Sequence, residues 1–146
     1  MKNIILIICL GSFITFFESC KKDSASDNST SIVGSWELRE RSAAMNPIIN
    51  KFPPGNGNIL KYTNTNYEIY ENGQLVKSGK YTIISDTTVE ASVCLVFPAG
   101  QYTNRIIYDS NDNAAKEFIQ ISNNKLTFIS GCYALDAGHS SEYERQ

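Results

Sequence analysis

Residues 32–41 read IVGSWELRER, and their pattern decides the fold. Gly34, Trp36, Leu38 and, by strict alternation, Glu40 fall on one side of an extended chain. Ser35, Glu37 and Arg39 fall on the other, the period-two signature of a strand with one buried face. Trp36 is the only tryptophan. Just upstream, residues 21–31 (KKDSASDNSTS) contain no apolar residue larger than alanine, so they cannot join a core and read as a flexible tether. The folded part is therefore expected to be 32–146, with this strand opening a small closed sheet.

Downstream the chain reads as a meander. After a long loop at 42–58, rich in Pro and Gly yet carrying Met45, Ile48, Ile49 and Phe52, strands are expected at 59–63, 67–71 and 74–85. That loop should act as a lid over the sheet or lie against its outside. Asn72-Gly73 is the strongest two-residue hairpin signal, because both central positions of a type I′ turn need positive φ. Gly79 suggests a bend or bulge. Further strands are expected at 89–97, 105–108, 117–121, 125–130 and 139–146, with no clear helix. Eight or nine short strands with regular turn signals argue for an antiparallel sandwich or barrel.

Composition narrows the function classes. The chain has 146 residues, 42% hydrophobic and 19% charged, with a formal net charge of -2. Scattered Lys and Arg do not make a phosphate-neutralising face, so nucleic acid is not an expected partner. At the amino terminus, Lys2 precedes an apolar run at 4–17 that is too short to span a bilayer comfortably and fits a secretory leader. The run ends at Glu18-Ser19-Cys20 and turns polar. This resembles a bacterial lipoprotein signal, which implies a leader at 1–19, lipid attachment at Cys20 and a lipidated tether at 20–31. It further implies a cell-envelope location, most naturally the outer membrane, with the membrane as partner through Cys20.

Of four cysteines, Cys9 lies in the leader and Cys20 carries the implied lipid, leaving Cys94 and Cys132. In an oxidising compartment these two form a disulfide, the alternative being two buried thiols. No cysteine or histidine stands at metal-ligand spacing, and no cofactor motif is present.

IVGSW at the start, YENGQLVKSGKY at 70–81 and the closing Tyr-x-Arg of Tyr143 and Arg145 together resemble the lipocalin-like domains, many of which occur in bacterial lipoproteins. The resemblance covers 32–146. It implies an all-β, up-and-down barrel of about eight antiparallel strands, in which Trp36, preceded by Gly34, lies across the closed end and Arg145 packs over it.

Catalytic groups are few. His139, the only histidine, has Ser140 beside it, but neighbouring strand residues face opposite ways and cannot share a proton. A non-catalytic function is therefore expected. A barrel of this size can enclose one small ligand, and the inward candidates Leu38, Tyr62, Tyr67, Ile69, Tyr81 and Phe128 would suit an apolar or aromatic molecule, with Glu40 at the mouth either ending the inward run and meeting solvent or making a polar contact inside the cavity. The alternative is a packed barrel acting as an interaction or assembly module for an envelope protein partner.

Overall fold

The computed structural model describes residues 30–44, 46–94 and 100–146. The expected leader at 1–19, Cys20, the expected tether through residue 29, Met45 and Leu95 lie outside the described residues.

Nine strands form one antiparallel sheet. They are β1 (Gly34–Ala43), β2 (Asn46–Lys51), β3 (Ile59–Tyr62), β4 (Asn66–Glu71), β5 (Gln74–Ser85), β6 (Asn104–Tyr108), β7 (Glu117–Ser122), β8 (Lys125–Ser130) and β9 (His139–Arg145). Pairing runs β2-β1-β3-β4-β5-β6-β7-β8-β9, and β1 also pairs with β9. Eight strands thus close into a barrel, and β2 is an addition to it. Closure leaves no sheet edge around the ring, the usual remedy for unpaired backbone groups.

Local chemistry sets the corners. Asn72 (φ 50°) and Gly73 (φ 79°) form the two-residue turn between β4 and β5, with Glu71 opposite Gln74. The β7–β8 turn is equally tight, with Ser122 opposite Lys125 and Asn123 at φ 54°. One core fills the barrel: Trp36, Leu38, Leu60, Tyr62, Tyr67, Ile106, Ile119, Leu126, Phe128 and Tyr143 interlock, with Ile32 closing it from below.

A second, smaller cluster lies on the outside of the barrel. Phe118 and Ile129 are opposite one another on the outer face of β7 and β8. They are covered by Val89 and Val93 of a one-turn helix, α1 (Val89–Val93). Cys94, just past α1, is disulfide-bonded to Cys132, just past β8, so the helix is stapled over the apolar patch.

Four expectations are corrected. Residues 89–97 do not open as a strand. Valines four apart put both side chains on one face of a helical turn, whereas a strand would have faced Val89 and Val93 into the barrel. The 42–58 segment is not all loop, for β2 lies within it and hydrogen-bonds to the upper part of β1, with Pro47 tolerated on an edge strand. Gly79 is not the bulge; the register shift falls between Ile69 and Tyr70, where Lys77 and Leu75 are the partners and Val76 is the extra residue. Gly79 is instead bare because a Cβ there would run into the Asp109 carboxylate and the Tyr67 ring.

The fourth concerns Glu40. The β1–β9 register slips between Leu38 and Glu40, so that Leu38 faces Tyr143 but Glu40 faces Glu142. Arg39 is the inserted residue of a β-bulge, and a one-residue insertion reverses which side chains point inward. Beyond it Glu40 turns outward, 3.7 Å from Lys51, and Arg41 takes the inward position opposite Ser141.

Candidate functional site

The two ends of the barrel differ. At one end, β1 begins and β9 finishes side by side, Trp36 opposite Arg145. The Arg145 guanidinium lies 4.1 Å from the Trp36 ring centroid and donates to the carbonyls of Val33 (2.8 Å) and Ser31 (2.6 Å). Trp36 is fully buried and donates its indole N–H to the Ile32 carbonyl at 2.7 Å. Gly34, at φ 139°, leaves the space that the guanidinium fills. This end is closed by a cation-π stack whose charged member is satisfied by backbone oxygens.

The other end is open. Between the upper parts of the strands lies a cavity of about 230 Å³. Leu60, Ile69 and Phe128 give it an apolar wall, Tyr108 and Tyr143 add aromatic rings, and Arg41, Glu117 and Ser141 bring polar groups. A neighbouring recess of about 180 Å³ shares Tyr108 and Glu117 and is bordered by Lys77, Arg105 and Asp109.

Glu117 starts β7 in phase with the inward Ile119, while Phe118 between them faces out. Burial pushes its carboxyl up to about 7, and nearby Lys77 only partly opposes this. Among the described residues no side chain forms an ion pair with it. Arg41, at the rim, reaches the Tyr143 hydroxyl, and its guanidinium carbon stands 6.0 Å from the Phe52 ring centroid. It too has no carboxylate partner among the described residues. Burial also raises the hydroxyls of Tyr62, Tyr108 and Tyr143 above the ordinary tyrosine range, so they stay protonated and serve as neutral hydrogen-bonding groups. Tyr62 and Tyr108 share a hydrogen bond of 2.7 Å.

The residues expected to contact a ligand are thus divided. Ile69 and Phe128 line the cavity. Leu38, Tyr62 and Tyr67 are packed in the core, and Tyr81 stacks edge-on against Tyr62 at 5.0 Å. Glu40 is outside. Sequence reasoning missed Glu117 and Arg41. The first was legible, being in phase with Ile119 and Ile121; the second was hidden by the bulge. His139 is exposed, and among the described residues no three His, Cys, Asp or Glu are grouped to hold a metal.

The fold and site define a closed β-barrel sealed at one end and hollow at the other. Comparison with known proteins gives no matching family model, no matching curated relative and no matching solved structure.

Proposed function

We propose that this chain is a lipoprotein of the cell envelope, anchored through Cys20, whose lipocalin-like barrel holds one small, mainly apolar ligand without transforming it. The observation that supports this best is the one-ended cavity of about 230 Å³. It is somewhat smaller than the ~300 Å³ at which pockets for drug-sized molecules begin, so the ligand is small. The leader-like run ending at Cys20 supports the anchor. Native mass spectrometry of the full chain extracted from membranes tests the reading. A discrete small-molecule adduct lost on denaturation is expected, together with a lipid mass absent from Cys20→Ser. A bare barrel that takes up no small molecule would count against ligand carriage.

A second reading is favoured by a different observation. The open end is rimmed by exposed apolar side chains: Ile49 on β2, Leu75 and Val76 on the β4–β5 hairpin, and Leu135 in the turn before β9. Such a rim suits docking of an envelope protein partner. Crosslinking from position 75 in intact cells would distinguish the two, since a carrier gives no constant protein adduct there.

A further inference from the structure

We propose that the open-end cavity is a receptor for a small zwitterion, an amino-acid-like molecule whose ammonium group meets Glu117 and whose carboxylate meets Arg41. This rests on the ligand-binding reading above and names the chemistry of its ligand.

The cavity presents one carboxyl and one guanidinium, and the protein neutralises neither. Glu117 and Arg41 line the same space without forming an ion pair with each other or with any other described residue. Buried ionisable groups are ordinarily paired, and Glu117 is desolvated with no ion-pair partner among the described residues, while the exposed guanidinium of Arg41 stands at the mouth of the same hollow without a carboxylate partner, so a ligand carrying both charges can meet each. A simple organic cation would satisfy Glu117 but crowd Arg41. A simple carboxylate would satisfy Arg41 but confront Glu117. A neutral apolar molecule would leave the Glu117 carboxyl without a partner. Leu60, Ile69 and Phe128 supply a wall for an aliphatic side chain, and the rings of Tyr108 and Tyr143 favour an ammonium nearby.

The ionisation of Glu117 gives the site a pH dependence. The groups that face it are Arg41 from β1, Tyr62 from β3, Lys77 from β5, Tyr108 from β6 and Tyr143 from β9. Arg105 and Asp109 border the adjoining recess, where Lys77 already stands 3.9 Å from Asp109. The tyrosines remain neutral, so within the cavity the titrating member is Glu117, and an ammonium group binds its ionised form.

Calorimetric titration of the full chain in lipid nanodiscs with four probes of one shape tests this: L-leucine, isopentylamine, isocaproate and isoamyl alcohol. L-leucine is expected to bind at least tenfold tighter than either singly charged probe. Glu117→Gln should weaken L-leucine and isopentylamine at least tenfold and spare isocaproate, while Arg41→Gln should do the converse. Affinity for L-leucine should fall about tenfold per pH unit below 7, and Glu117→Gln should abolish that slope. If isoamyl alcohol binds as tightly as L-leucine and neither substitution matters, the zwitterion is overturned while the ligand-binding barrel stands. If no probe binds at millimolar concentration, the zwitterion is likewise overturned, and the native adduct decides the broader reading separately. Should a variant not fold, the pH slope of the unmodified protein carries the test.

Discussion

Gly34 and Arg145 are fitted to each other: the guanidinium of Arg145 occupies the place where a side chain at position 34 would begin. Gly34 also sits at a φ of 139°, which side chains rarely adopt. Gly34→Ala is therefore expected to lower stability by about 1 to 3 kcal/mol, with a red shift of Trp36 emission as its cover is displaced. Arg145→Ala should give a similar shift. The double variant should cost less than the sum, because the clash disappears with the arginine; thermal melts of the four proteins measure it.

Arg39 bridges two carboxylates, 2.7 Å from Glu37 and 2.8 Å from Glu144. Glu37 is buried beneath the 52–58 loop. Burial works to raise its pKa, but the hydrogen bond and charge of Arg39, aided by the nearby Gly55 and Gly57 backbone, outweigh that and lower it. A lowered folded pKa contributes stability above the unfolded value of 4.5 that is lost as pH falls through the folded one. Arg39→Met strands a buried charge and should cost about 3 to 5 kcal/mol at pH 7. The gap from the unmodified protein should narrow on acidification as Glu37 takes a proton. Denaturant titrations at pH 7 and pH 4 check this, and a gap that widens in acid would refute it.

For Glu117 the sign is reversed. Its folded pKa of about 7 lies above the unfolded 4.5, so the folded state prefers the protonated form. The stability this confers is complete below pH 4.5 and is lost as pH rises to 7 and beyond. Glu117→Gln should therefore leave stability unchanged at pH 4 and raise it at pH 8 by up to about 3 kcal/mol. Equal melting shifts at both pH values would show the carboxyl to be solvated.

The disulfide joining Cys94 and Cys132 spans a sequence separation of 38 and holds α1 against Phe118 and Ile129. By the chain-entropy model its removal should cost about 3 to 4 kcal/mol. Because α1 lies outside the barrel, reduction should speed amide exchange at Val89 and Val93 well before that of the β1–β9 pairs. Uniform exchange along the chain would mean that α1 and the barrel open together.

Where local signals were strong, the fold was readable from residues alone. Asn72-Gly73 announced its hairpin because few dipeptides adopt two positive φ angles, and Trp36, Leu38, Tyr62 and Tyr67 alternated cleanly into the core. Residues 89–93 were misread because a short apolar run has too few residues to distinguish a period of two from one of 3.6. Pro47 argued against a strand that exists only because it lies beyond the closed ring. The candidate site was less readable than the barrel because its polar wall depends on the bulge at Arg39. A bulge is a property of two strands in register, and β9 lies more than a hundred residues away along the chain.

Arg145 clasps the carbonyls of Ser31 and Val33 where the chain enters β1, and β1 itself lies hydrogen-bonded between β3 and β9. A pull on the entering thread is thus directed along β1 and loads the flanking ladders in shear, many bonds at once, instead of peeling them one by one. Strain on the segment before residue 31 is borne first by the sealed floor of the barrel. The hollow at the far end, which the load reaches only after running the length of β1, is the last part to feel it.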